Sequence, residues 1–137
     1  LDIEGWNWIS YQDPTGFQGY RLFDCWGRDP DSGKPSGHTI ITHFRMPVWQ
    51  MWYGGGSYNK DSLPLLKRAL MTNYRDSVFC GGRGPEKFET GAGLYINNFS
   101  GTFAEFRGEE YIKEIGTGNR LGSHMYRGGS LLYLPKS

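Results

Sequence analysis

Hydrophobic and polar positions alternate at period two through most of this chain, as they do in half-buried strands, and the period changes once. "WNWISY" (Trp6–Tyr11) alternates aromatic or apolar with polar residues, "QDPTG" (Gln12–Gly16) follows as a turn, and "GYRLFDCWG" (Gly19–Gly27) reads as a second strand. Two prolines and two glycines among polar residues mark "RDPDSGKPSG" (Arg28–Gly37) as a long, flexible hairpin tip. "HTIITHF" (His38–Phe44) is rich in β-formers. "PVWQMWY" (Pro47–Tyr53) is largely apolar on both faces, with Trp49, Met51 and Tyr53 on one and Val48, Gln50 and Trp52 on the other. Such a strand belongs near the middle of a sheet with cover on both sides.

The change of period falls in "DSLPLLKRALMTNY" (Asp61–Tyr74), where Leu63, Leu66, Leu70 and Tyr74 share one helical face. Asp61 or Ser62 can cap this helix, and Pro64 fits a first turn, where its missing N–H costs nothing. After the glycine-rich loop "CGGRGPEKF" (Cys80–Phe88) strands resume: "GLYIN" (Gly93–Asn97), "GTFAEFRG" (Gly101–Gly108), "EEYIKEI" (Glu109–Ile115), "RLGSHMYR" (Arg120–Arg127) and "SLLYLP" (Ser130–Pro135), with "GTGN" (Gly116–Asn119) as a turn. The order predicts an α+β fold: a mostly antiparallel, curved β-sheet built from two β-units, with one main helix (about 62–75) packed on it.

The 137 residues fit a single domain, 1–137. Two valines and 16% aromatics mean that rings must fill much of the core, and 21 glycines favour strands joined by tight turns over a helical bundle. A net charge of +1 argues against nucleic acid as a partner, because no basic face is implied. Cys25 and Cys80 make at most one bridge and are expected as free thiols in a reducing cytoplasm. No apolar run approaches the ~18 residues of a membrane span, and no signal peptide opens the chain. The chain begins at Leu1 rather than a methionine, which suggests removed upstream residues, and Asn98–Ser100 fits a glycosylation pattern only incidentally.

Met51-Trp52-Tyr53-Gly54-Gly55 and Met125-Tyr126-Arg127-Gly128-Gly129 share the pattern Met–aromatic–x–Gly–Gly. Upstream of each lies an aromatic segment with a glycine and charges, Phe23–Asp29 and Phe103–Glu109, and a tyrosine opens each block, Tyr11 and Tyr95. The pattern suggests an internal pseudo-repeat, about 6–56 and 92–134, flanking the helix. The abundance of glycine and aromatics makes coincidence the competing explanation.

"PVWQMWYGG", "LLKRAL", "GGRGP", "LYINNFSGTFAEFRGEEYI" and "YRGGSLL", in that order over roughly residues 45–132, resemble a bacterial family, domain of unknown function 5680. Its members are small stand-alone proteins or domains that follow helix-turn-helix DNA-binding modules. The resemblance implies a bacterial origin and a ligand-sensing or accessory role, and it carries no catalytic residue over to this chain.

Several residues are candidates for chemistry, each beside a plainer role. His38 and His43 are five apart, so on one regular strand they face opposite ways, and with His124 and two separate cysteines they form no metal pattern. Glu105, Glu109, Glu110 and Glu114 could do acid–base work or simply line a solvated strand face, with Glu109 the one to watch because it follows Gly108 at the end of an aromatic strand. "CGGRGP" can cradle an anion with Arg83, or be a turn. Arg127, on the face of Met125, needs an acidic partner such as Glu105, Glu109 or Glu110, or an anionic ligand.

These readings converge on a non-enzymatic small-molecule-binding or accessory domain, with no cofactor or metal. The expected pocket lies between sheet and helix and is lined by Trp49, Trp52, Tyr53, Tyr126 and Arg127, with Arg83 and Glu109 as further ligand-binding residues suited to an anionic ligand. Cover for the second face of Pro47–Tyr53 predicts a homodimer. Two alternatives stand beside this: a hydrolase- or isomerase-type enzyme using Glu109 or a neighbour, and a structural interaction module.

Overall fold

The computed structural model describes residues 6–12 and 19–132. The turn expected at 12–16 and the end of the strand expected at 130–135 lie largely outside them. The elements are β1 (Trp6–Gln12), β2 (Tyr20–Arg28), β3 (Pro35–His43), β4 (Met46–Gly54), a 3₁₀ turn (Lys60–Ser62), α1 (Leu63–Asp76), β5 (Lys87–Thr90), β6 (Gly93–Thr102), β7 (Glu105–Lys113) and β8 (Arg120–Ser130). The strands form one antiparallel sheet in the order β1-β2-β3-β4-β8-β7-β6-β5, so two runs of four consecutive strands meet where β4 pairs with β8. The α+β class expected from the alternation holds, and β1 and β5 are the edges.

Residues directly opposite on paired strands point to the same face. Tyr11, Leu22, Ile41 and Trp49 therefore share the face on which α1 lies, as do Asp24, Thr39 and Met51. Trp8, Cys25, His38, Trp52, Arg127, Arg107 and Ser100 line up across seven strands on the other face. This second face is open. Trp49 and Met51 are buried, but Gln50 is exposed and Trp52 is 42% exposed, so the described residues of this chain cover β4 on one side only and no second sheet layer lies over the other.

Helix α1 presents Leu65, Leu66, Ala69 and Asn73 to the sheet, whereas Tyr74 is 49% exposed. The buried stripe is thus rotated from the one read from Leu63, Leu66, Leu70 and Tyr74: the two share the buried Leu66, while Leu63 and Leu70 are only partly buried. Ser62 precedes the helix without a capping side-chain bond, Asn59 caps the preceding 3₁₀ turn instead, and Ser77 ends the helix in the left-handed conformation. Fourteen residues make a helix about 21 Å long, roughly the width of four strands. Its apolar stripe meets Phe88 of β5, Tyr95 of β6, Ile112 of β7 and Leu121 of β8. A second cluster, Trp49, Met51, Phe106 and Tyr126 with Phe79 from the loop after α1, closes the middle of the sheet. No residue of β1 or β2 belongs to either cluster.

Two boundaries differ from the sequence reading for a physical reason. The break expected at Gly108–Glu109 is absent: β7 runs straight through, and the turn falls at Phe103–Ala104. Gly108 sits in mid-strand because the Tyr126 side chain lies over it, in the space where a Cβ would stand. Gly37 of β3 lies in the same way under Tyr53 of β4. The tip after β2 is also shorter than expected, since Pro35–Gly37 already belongs to β3. It is an organised turn: Asp29 Oδ1 accepts from the Ser32 and Asp31 backbone N–H groups at 2.6 and 3.1 Å.

Candidate functional site

Once β7 is continuous, Phe106, Gly108, Glu110 and Ile112 share its inner face and Arg107, Glu109 and Tyr111 the outer one. Glu110 is therefore a carboxylate in the middle of an apolar face, and it is fully buried. Burying a charge demands a paired, hydrogen-bonded setting. Arg83 reaches in from the glycine-rich loop and donates to Glu110 Oε1 through Nε at 3.1 Å and also through a terminal guanidinium nitrogen. Tyr95 donates to Oε2 at 2.6 Å, and His124 Nδ1 lies 3.2 Å from Oε1. Burial pushes the Glu110 carboxyl up, but the Arg83 charge and the hydrogen bonds from His124, Arg83 and Tyr95 outweigh it and hold the group down at about 2. Burial alone would lower the Arg83 pKa, and the Glu110 charge raises it above its ordinary value.

A polar shell surrounds this pair. Asn97 Nδ2 donates to the Cys80 and Gly84 carbonyls at 2.9 and 2.8 Å, and Tyr126 donates to Asn97 Oδ1. Asn73 of α1 donates to the Arg83 carbonyl at 3.0 Å, and the Arg83 guanidinium lies 4.8 Å from the centre of the Tyr53 ring. These bonds clamp the loop 80–84 between helix and sheet. Among the described residues, two buried polar atoms lack a partner: the Tyr58 hydroxyl and His124 Nε2, whose rings meet edge-on at 4.7 Å. The carboxylate and the imidazole are the parts of a general-base dyad, yet both are enclosed by the protein.

The residues expected to form one pocket are distributed over three places. Tyr53, Arg83 and Tyr126 are in the core network, where Tyr95, Tyr126, Ile112 and Glu110 fill the space between sheet and helix. Trp49 is buried on the helix side, stacked on Phe103 at 5.1 Å with its indole N–H donating to the Phe103 carbonyl at 2.9 Å. Trp52, Glu109 and Arg127 are on the open face. Glu109 pairs with Arg120 at 2.7 Å, its side chain 41% exposed. Arg127 is exposed, not on a buried aromatic wall.

Sequence reasoning named Glu110 as one of four glutamates and as a possible partner of Arg127, not of Arg83, and missed Tyr58 and the burial of His124. The signal was present in Phe106 and Ile112 flanking Glu110 at even spacing, but the break assumed at Gly108 hid it.

Clefts lie on both faces of the sheet. On the helix side, beyond the reach of α1, a groove of about 700 Å³ is walled by Tyr11, Leu22, Ile41, Trp49, Phe103 and Leu132. Arg21 and Gln12, hydrogen-bonded to each other at 3.0 Å, also border it. On the open face, Trp52 is the common wall of three clefts of about 640, 570 and 500 Å³.

Residues 32–131 match the family model described as Domain of unknown function (DUF5680), and the chain belongs to that family. No curated protein and no solved structure matches it. Among the described residues, no helix is long and apolar enough to cross a membrane.

Proposed function

We propose that this domain binds a small, largely apolar molecule without transforming it, and that the ligand occupies the helix-side groove over β1–β4. One observation supports the reading most: the row Tyr11–Leu22–Ile41–Trp49 is apolar across four strands, yet the single helix lies over the other four. The volume falls within the range of ligand pockets, and apolar walls with a few polar groups are what such pockets have. Trp49 is a preorganised wall, fixed by its hydrogen bond and its stacking on Phe103 and Phe106. With Cys25 and Cys80 both free, a reducing cytoplasm suits the domain. A thermal-shift screen of neutral aromatic and aliphatic compounds tests the reading, with Ile41→Arg as the blocked control. Stabilisation of the native protein that the variant loses supports it, and a flat response across the library sinks it.

Self-association is a second reading, and the contrast between the two sheet edges favours it. β5 is four residues long and carries Lys87 and Glu89, whereas β1 (WNWISYQ) is seven residues long without a charge or proline. Charged or short edges resist further pairing, and an uncharged one of this length invites it. Antiparallel pairing of β1 with β1 of a second copy would give a homodimer. Light scattering showing that the native protein and a Ser10→Pro variant are both monomers at high concentration rules this out.

The central strands also support an internal repeat in the proposed sense. Tyr53 pairs with Tyr126 across β4 and β8, and each ring covers the glycine opposite it on the outer neighbour, Gly37 or Gly108. On this reading Tyr53 and Tyr126 are the twins, one position away from the alignment of the Met–aromatic–x–Gly–Gly motifs, which sets Tyr53 against Arg127. The upstream aromatic segments do not follow the same symmetry: Phe23–Arg28 lies in β2, separated from β4 by β3, whereas β7 is next to β8.

A further inference from the structure

The open face carries an arrangement that folding alone does not favour. Arg107 of β7 and Arg127 of β8 stand directly opposite each other, both exposed. Like charges in directly opposed positions destabilise a sheet. Glu105 and Glu109 flank Arg107 along β7, but Glu109 is held by Arg120 at 2.7 Å, and among the described residues neither Arg107 nor Arg127 makes an ion pair. The next position in the row is Trp52, directly opposite Arg127 on β4. Its indole N–H donates to Ser36 Oγ at 3.2 Å, which fixes the ring. Gly54 leaves room for that ring, since a Cβ there would come within 3.1 Å of it, and Gly55, in the left-handed region at φ 81°, makes room for the tip of Met125. Ser100 closes the row beyond Arg107, with Asn98 bordering the same cleft.

We infer that Trp52, Arg127 and Arg107 form a binding site for a flat aromatic molecule carrying a phosphate or carboxylate, the ring on Trp52 and the anion between the two guanidiniums. Neighbouring strands are about 4.8 Å apart, so the two arginines lie roughly 5 and 10 Å from Trp52 along the row, the reach of an aryl anion. Two planar guanidiniums hold phosphate or carboxylate through paired hydrogen bonds, and a bound anion relieves the repulsion between them. Unlike the proposed groove, this site lies on the opposite face and reads charge, so either can fail without the other.

The test is calorimetric titration with 1-naphthyl phosphate, 1-naphthoate, 1-naphthol and inorganic phosphate. At least one of the two aryl anions binds about tenfold or more tighter than the neutral naphthol and than inorganic phosphate, and the tighter of the two names the anion. Arg127→Gln, Arg107→Gln and Trp52→Ala each weaken aryl-anion binding by about tenfold, as expected for loss of one charge-assisted contact or of the stacking surface. All three positions are exposed, so folding survives, and Arg107→Gln raises the melting temperature of the free protein slightly by removing the like-charge pair. Neutral naphthol binding as well as the anions overturns the proposal, as does full-strength aryl-anion binding by both arginine variants. Binding of an oligothymidylate more than about a hundredfold tighter than naphthyl phosphate also overturns it, because the face would then be a platform for a nucleic-acid strand.

Discussion

The two halves of the sheet solve the burial problem differently. Over β5–β8 a single helix and its following loop enclose Tyr95, Ile112 and Glu110 completely, and every polar group on Glu110 has a protein partner. Over β1–β3, among the described residues, nothing plays the part of the helix: on the helix-side face Tyr11 is 61% exposed and Ile9 37%. The two runs have equal numbers of strands but unequal cover, so the second should carry the domain's stability and the first its contacts with other molecules.

The largest effect belongs to Glu110→Ala. It leaves the Arg83 guanidinium buried without a counter-charge, along with unpartnered groups on Tyr95 and His124, and removing one member of a buried pair costs about 3–5 kcal/mol. Denaturant titration of the variant should show a loss of this order, and the glycine-rich loop should become protease-sensitive because Arg83 no longer anchors it. A loss under ~1 kcal/mol would mean that the pair is dispensable and the covered half is not held by it.

Ile112→Ala removes a fully buried side chain beneath α1 and should cost about 2–5 kcal/mol, whereas Ile9→Ala, on the uncovered half, should cost less than ~1 kcal/mol. Similar losses at both positions would show that β1 is covered in solution, which is the outcome expected if it pairs with a second copy.

The acid limb of stability should reflect the same network. The Glu110 carboxyl in the folded protein is held at about 2, below its ordinary value of 4.5. Stability from this depressed group is fully present above 4.5 and is lost as pH falls from 4.5 toward 2, on the order of 3 kcal/mol in all. Urea midpoints measured between pH 5 and pH 2.5 should fall steeply in the native protein. In Glu110→Gln they should fall less, since that side chain has no proton to take up.

How much of this was legible in the sequence depended on whether local pattern or tertiary contact decides a feature. The alternation in Trp6–Tyr11 and His38–Phe44 and the helical period after Asp61 are local, and they placed four strands, a helix and then more strands correctly. Gly108 is the opposite case. A glycine followed by two glutamates reads as a turn, and only the Tyr126 side chain above it makes it a strand residue. That one misplacement shifted attention to Glu109, which faces solvent, away from Glu110, which faces the core. The apolar pattern of Pro47–Tyr53 misled for another reason: Trp52 is large and aromatic without being buried, and hydrophobicity alone does not separate a core ring from a surface platform. Arg83 was singled out from its loop as an anion anchor, and the anion it meets is the chain's own Glu110.

The smallest expected effect is the sharpest check on the contrast between the neighbouring glutamates. Arg120 and Glu109 form an ion pair at 2.7 Å with side chains 52% and 41% exposed, and Arg120 also lies 4.0 Å from the centre of the Tyr111 ring. Water and salt screen such a pair, so Arg120→Ala should cost no more than about 1 kcal/mol, part of it from lost packing over Tyr111. Adding salt to the native protein should therefore change its stability little through this pair, while the buried Arg83–Glu110 pair, shielded from ions, should respond even less. A cost near 3 kcal/mol for Arg120→Ala would place a structural charge on the open face. That face would then owe its arginines to stability, and the inference that Arg107 and Arg127 await an anion would lose its physical basis.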